Sequence, residues 1–205
     1  MGGVTPRMRI GIFGGTFDPP HQGHLILAEE AEYQLGLDRL LWVLTADPPH
    51  KQGQPITPLE VRLDLLRAAI GENPRFELSR VDIDRPGPHF ALDTVRLLRE
   101  ANPTAELAYL IGGDSLRDLP TWHSPADFLR SVDVLGVMRR PGDRVDLTAL
   151  EAELPGLQKT VRYIDAPLLE ISSSQIRQRV SEGRPYRYYV PREVYRLIQA
   201  RHLYR

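Results

Sequence analysis

Along the chain, short and nearly continuous apolar runs alternate with segments whose apolar positions recur at steps of three and four. Residues 8–13 (MRIGIF) make the first run, and Gly14-Gly15 behind it mark a flexible turn, the pattern of a buried strand. His24, Leu27, Ala28, Ala31 and Leu35 then share one helical face that stops at Gly36, so His24 points where the core-facing side chains point. Residues 39–45 (RLLWVLT) predict a second strand. After the Pro- and Gly-rich loop ADPPHKQGQPI, Thr57-Pro58-Leu59-Glu60 reads as a capping box with proline at the first helical position, opening a helix to about residue 70. Residues 76–81 predict a third strand, 92–101 a helix stopped by Asn102-Pro103, 107–111 a fourth strand ending in Gly112-Gly113-Asp114, and 132–137 a fifth. Near the end, Ser172-Ser173-Ser174-Gln175 opens a helix, RPYRYYVP follows, and another helix starts near Pro191.

Strands alternating with helices imply parallel βαβ units wound right-handed and covered on both faces. The expected fold is α/β, a Rossmann-like parallel sheet with helices on both faces and a small C-terminal helical segment. A single domain over 1–205 is the default, with about 171–205 as the appendage. In such sheets ligands sit beyond the carboxyl ends of the strands where the winding reverses, commonly between the first and fourth strands, where both glycine-bearing turns fall.

Composition narrows the function classes. Lys and Arg total 26 against 27 Asp and Glu, a net charge of −1, so there is no general field for nucleic acid or anionic lipid, and phosphate recognition has to be local. The Arg- and Tyr-rich segment RPYRYYVPREVYR is the only prompt for a nucleic-acid module, and the near-zero charge weighs against it. The absence of cysteine excludes disulfides, thiolate catalysis and Cys-based metal sites. No signal-peptide run and no segment of roughly 18 apolar residues is present, so a cytoplasmic protein without membrane partners is expected.

The sharpest segment is GGTFDPPHQGH, from Gly14 to His24. Glycines let a ligand approach main-chain N–H groups, and the following helix N-terminus supplies free donors and partial positive charge suited to phosphate. The segment is neither a Walker A loop nor the G-x-G-x-x-G fingerprint. His21 and His24, three apart at the helix start, can reach one volume and stabilise charge developing on a phosphoryl group. Taken in isolation, an H-x-x-H is more often a capping or core pair, or half a zinc site, than phosphoryl chemistry. A second constellation, ISSSQIR from Ile171 to Arg177, places two hydroxyls and a guanidinium around a helix terminus, either a polyphosphate clamp or an ordinary capped surface helix. A third, IGGDS followed by Trp122, offers Asp114 as a ribose ligand or a helix cap, and Trp122 as a stacking surface or plain core.

GGTFDPPHQGH closely resembles the HxGH nucleotidyltransferase signature in the form borne by bacterial nicotinate-mononucleotide adenylyltransferases. His21, where the phosphopantetheine enzymes usually carry Thr, favours the pyridine-nucleotide branch. ISSSQIR resembles that family's I-S-S-T-x-x-R, IGGDS…W its I-G-x-D-S…W, and PPHK its lysine-bearing loop, so the resemblance runs from Gly11 to HLYR. It implies in-line transfer of AMP from ATP to nicotinate mononucleotide without a covalent intermediate, in NAD biosynthesis. His24 and His21 would be catalytic. Gly14, Gly15, Gly112, Asp114, Ser115, Ser173, Ser174 and Arg177 would bind ATP, and Thr16, Phe17, Lys51, Ala91, Thr94 and Trp122 the mononucleotide. Mg2+ would enter mainly through the ATP phosphates, with no protein metal ligand assigned, and a homo-oligomer is compatible with the reading. Ala91 replaces a frequent Thr (PHFALDT against P-S-Y-T-x-D-T) and Thr45 a frequent Asn, although the Ala91 N–H can still meet a nicotinate carboxylate. The alternatives are the same chemistry on nicotinamide mononucleotide or phosphopantetheine, and a non-catalytic nucleotide sensor.

Overall fold

The structure, a computed structural model, describes residues 7–47, 56–71, 73–139, 145–167 and 169–205. The chain runs β1 (Arg9–Gly15), α1 (Gln22–Leu35), β2 (Arg39–Leu44), α2 (Leu59–Ile70), β3 (Phe76–Ser79), α3 (Ala91–Ala101), β4 (Glu106–Gly112), α4 (Gly113–Asp118) and α5 (Pro125–Ser131). It continues through β5 (Val134–Arg139), α6 (Leu147–Glu153), α7 (Leu157–Thr160), β6 (Val161–Asp165), α8 (Ser173–Ser181) and α9 (Arg192–Ala200). All pairings are parallel, in the order β3-β2-β1-β4-β5-β6. The winding reverses between β1 and β4, which places their carboxyl ends at the crevice expected of a Rossmann-like α/β sheet.

Each strand feeds two cores, because alternate side chains leave opposite faces. Leu41 and Val43 of β2 join Ile10, Ile12, Leu107, Tyr109 and Leu135 beneath α3 and α5. Leu40, Trp42 and Leu44 join Phe13, Ala108 and Leu110 beneath α1, α2 and α9. With both faces covered, the strands read as unbroken apolar runs in sequence. Residues 171–205 contribute Ile176, Tyr186, Val190, Val194 and Ile198 to the second core.

Several boundaries differ from the sequence reading. β1 continues through Gly14 and Gly15, which pair with Val43 and Leu44. β5 begins at Val134 rather than at Val132; just ahead of it the Asp133 carboxylate accepts from the Leu107 N–H (2.8 Å) and the Arg99 guanidinium (2.5 Å). The capping box at Thr57 does not form: Pro58 is the cap residue and carries no side-chain bond. Tertiary partners claim Thr57 instead, its N–H donating to Asp18 Oδ2 at 3.1 Å and its carbonyl accepting from Arg62 Nε at 2.9 Å. β6 was not anticipated; it is five residues long, pairs with β5 alone, and buries only Val161 and Ile164. Gly36 does close α1 in the left-handed region (φ 60°), as its position predicted.

Candidate active site

β1 delivers the chain to the switch point, and residues 16–21 turn it into α1. Phe17 adopts φ 48° and drives its ring into the core, 5.5 Å edge-on from Phe13, 5.2 Å from Trp42 and 5.1 Å edge-on from His24. That ring lies over Gly15, where a Cβ would stand 2.8 Å from it, so close approach requires glycine there. His21 caps α1 from extended backbone, and its ring stacks on His24 at 3.6 Å. The His21 N–H donates to His24 Nδ1 at 3.2 Å. A main-chain N–H can only donate, so a neutral His24 has its proton on Nε2.

α8 arrives beside the same loop. Ser172 caps it by accepting from the Gln175 N–H at 3.2 Å. The Ser173 hydroxyl donates to the Pro19 carbonyl at 2.8 Å, and Arg177 Nη1 donates to the Asp18 carbonyl at 2.7 Å. Arg177 thus spends one of its five N–H donors on the loop. Ser174 is exposed, with its Oγ 3.0 Å from that of Ser172. The N-termini of α1 and α8 therefore flank residues 18–21, a convergence of main-chain donors suited to polyphosphate.

Next to this cluster opens a cavity of about 550 Å³, within the range of small-ligand sites. Of the residues singled out in the sequence, Gly14, Gly15, Thr16, Thr45, Ala91, Thr94, Gly112, Ser115 and Trp122 line it. Trp122 is half-buried, 5.2 Å from the Phe128 ring and 6.4 Å edge-on from Tyr109. Ala91 is the first residue of α3, whose N-terminal turn faces the cavity with a favourable dipole for a carboxylate. The Thr94 hydroxyl is turned to scaffolding: it donates to the buried Asp82 at 2.7 Å, and Arg85 bridges Asp82 to the carbonyls of Pro88 and Phe90. His21, His24, Phe17, Asp114, Ser173, Ser174 and Arg177 are not among the lining residues. Asp114 does not cap α4; it is exposed, beside Gly112. Lys51 lies outside the described residues.

Sequence reasoning missed the rest of the lining, notably Asp82, Tyr109 and a Phe90–His123 stack at 4.2 Å. Burial, then the Asp82 charge, pushes the Tyr109 phenol well above its ordinary range, so it forms a neutral floor. Arg62 was missed as well. It is 2% exposed and donates to the carbonyls of Thr57 (2.9 Å), Thr16 (3.2 Å), Thr45 (2.8 Å) and Ala46 (2.8 Å), gathering the carboxyl ends of β1 and β2. The available signal was its place in the apolar stripe of α2, three after Leu59 and four before Leu66. Among the described residues no group of three or more His, Asp or Glu side chains could hold a metal ion, and no helix is long and apolar enough to cross a membrane.

Fold and comparison together define a class, the nucleotidyltransferases with a Rossmann-like sheet, here with a histidine-bearing loop at the switch point; residues 12–179 match the family model described as cytidylyltransferase-like. The chain is 48% identical over 197 residues to a protein of Thermomicrobium roseum named probable nicotinate-nucleotide adenylyltransferase, covering 96% of this chain and 92% of that one. It is 39% identical over 196 residues to the nicotinate-nucleotide adenylyltransferase of Bacillus subtilis, covering 96% and 98%. On those identities the chain belongs to the family of nicotinate-nucleotide adenylyltransferases. The fold itself is shared with the Plasmodium falciparum nicotinic acid mononucleotide adenylyltransferase solved with NaAD, at TM-score 0.78 and 18% identity over 97% of this chain and 98% of that one.

Proposed function

We propose that the protein transfers the adenylyl group of ATP to nicotinate mononucleotide. A phosphate oxygen of the mononucleotide attacks the α-phosphorus, the bond from that phosphorus to the bridging oxygen breaks, and pyrophosphate leaves. The observation that carries this reading is the His21–His24 pair, stacked and tautomer-fixed between two helix N-termini, on the loop that continues from Gly14, Gly15 and Thr16 in the lining of a cavity of about 550 Å³. Catalysis is then alignment of two anions and neutralisation of growing charge.

The His24 Nε2–H donates to an α-phosphate oxygen and His21 serves a neighbouring one. The first turn of α8, with Ser173, Ser174 and the remaining donors of Arg177, receives the leaving pyrophosphate. Gly14 and Gly15 let the nucleotide approach the sheet, and Gly112, Asp114 and Ser115 take the adenosine side. Trp122 stacks on the pyridine ring, and the Ala91 N–H at the α3 N-terminus meets its carboxylate. Thr16 borders the mononucleotide, while Phe17 and Thr94 act from behind, fixing His24 and the 82–91 loop. Mg2+ would enter as part of the substrate MgATP, balancing the triphosphate charge through phosphate oxygens and water. The cytoplasm, where ATP is abundant, is the proposed setting.

The test is pyrophosphate release with MgATP and each of nicotinate mononucleotide, nicotinamide mononucleotide and phosphopantetheine. The expected result is a strong preference for the first, and preference for either other phosphate would refute the substrate assignment. In His24→Ala, turnover should fall on the order of a hundredfold or more with ATP affinity little changed; near-normal turnover would remove His24 from the chemistry.

A further inference from the structure

The histidine loop is tied down from several sides, by Ser173 and Arg177 of α8 and by a residue still further along the chain. Beyond α9 the backbone passes twice through the left-handed region, at His202 (φ 51°) and Tyr204 (φ 65°). Neither is glycine, and such conformations persist only where their surroundings over-determine them. Leu203, between them, packs on the core and donates its N–H to the Ile198 carbonyl at 3.1 Å. The turn delivers the Tyr204 phenol, whose O–H donates to Asp18 Oδ1 at 2.8 Å across 186 positions of sequence.

Asp18 is 3% exposed, and its other oxygen accepts from the Thr57 N–H. Its carbonyl takes Arg177 and the next carbonyl takes Ser173. Two residues further on, the His21 N–H donates to His24 Nδ1. Tyr204 is thus the one side chain among these bonds that grips the Asp18 carboxylate, while the others hold main chain. Burial first, then the charge of Asp18, raises its pKa, which keeps it a donor throughout the neutral range.

We propose that Tyr204 is a positioning residue for the transfer reaction: by gripping the Asp18 carboxylate it fixes residues 18–21 and, through the His21 N–H, holds His24 as the Nε2–H tautomer. The inference rests on the adenylyl-transfer reading for its catalytic consequence. Misplacing a reactive group by about 1 Å can cost on the order of a hundredfold, so loss of one tie has a measurable effect on turnover without removing any group that touches substrate.

The experiment compares wild type with Tyr204→Phe and Val194→Ala, the latter loosening the packing of α9 without reaching Asp18. Pyrophosphate release is measured below the melting transitions, and proton–nitrogen correlation spectra report the tautomer of His24. In Tyr204→Phe, kcat should fall at least about tenfold with KM for both substrates moving less than about threefold, and the His24 signals should shift toward a tautomer mixture. Val194→Ala should lower Tm while leaving kcat and the His24 signals those of wild type. Unchanged kcat and His24 signals in Tyr204→Phe would overturn the proposal, as would matching losses in Val194→Ala. An inactive wild type would remove the adenylyl-transfer reading, and the His24 tautomer in Tyr204→Phe would still decide whether Tyr204 positions it.

Discussion

Replacing Arg62 by methionine keeps most of the side-chain volume and removes one buried guanidinium, which makes it a direct probe of how the site is held. Four carbonyls lose their donor: those of Thr57, Thr16, Thr45 and Ala46. A hydrogen bond to a charged group contributes roughly 1.5–3 kcal/mol, so the gross loss would be about 6–12 kcal/mol. Two effects reduce it. Thr16 and Thr45 border the cavity, so water can reach their carbonyls, and burial already lowers the Arg62 pKa against the opposing charge of Asp18, meaning that its charge is held at a desolvation cost. Removing one member of a buried charged pair typically costs about 3–5 kcal/mol, and that is the net loss expected for Arg62→Met, or about 6–20 °C in Tm for a chain of this size. Arg62→Lys should recover only part of it, because an ammonium has three donors and no planar fork. Urea unfolding followed by circular dichroism and by the fluorescence of the fully buried Trp42 would measure it. Apolar replacement of buried ions is often neutral when both partners go, but here the four carbonyls stay behind. A loss below about 1 kcal/mol would show that they find other donors, and would refute the view that Arg62 gathers the two strand ends.

Other outcomes follow from the same geometry. Gly15→Ala puts a methyl 2.8 Å from the Phe17 ring, which should cost about 1–3 kcal/mol and lower kcat by displacing the surface on which His24 rests; unchanged turnover and stability would show that the ring yields freely. Trp122→Ala should raise KM for the mononucleotide about two- to tenfold, the worth of one ring contact, with KM for ATP unmoved; an equal rise in both would place Trp122 elsewhere than on the pyridine. Alkaline stability should fall above about pH 10, the unfolded tyrosine pKa, because Tyr109 and Tyr204 have raised native values and keep protons that the unfolded chain releases. Each contributes stability that is complete below that pH and lost as pH rises, at up to about 1.4 kcal/mol per pH unit, so the slope of unfolding free energy against pH in Tyr109→Phe should be shallower than in wild type, and an equal slope would contradict the shift.

What could be read in advance followed the range over which each signal acts. β1, β2 and β4 were legible because two buried faces impose unbroken apolar runs, and α1 and α3 because Gly36 and Asn102 stop them locally. β6 was not, since an edge strand with two buried residues leaves almost no pattern. The same division runs through the site. Its glycines and histidines were visible because they lie close together in sequence, where a strand end and a helix start put donors near one another, and the α8 hydroxyls because they cluster at a helix start of their own. Arg62, Tyr109 and Tyr204 were silent because each acts across the fold: Arg62 occupies a core stripe, Tyr109 sits mid-strand, and Tyr204 meets Asp18 only after nine-tenths of the chain has wound around the sheet. Thr94 shows the reverse case, a residue visible in a motif whose hydroxyl turns out to hold Asp82. A local motif thus identifies the groups nearest the chemistry, whereas their orientation is set by charges and phenols that the topology brings from afar. The tautomer of His24 belongs to the first kind, being fixed by the His21 N–H three residues away, but that N–H is only as well placed as the Asp18 loop carrying it, so a local motif can be complete in sequence and still depend for its geometry on residues it does not contain.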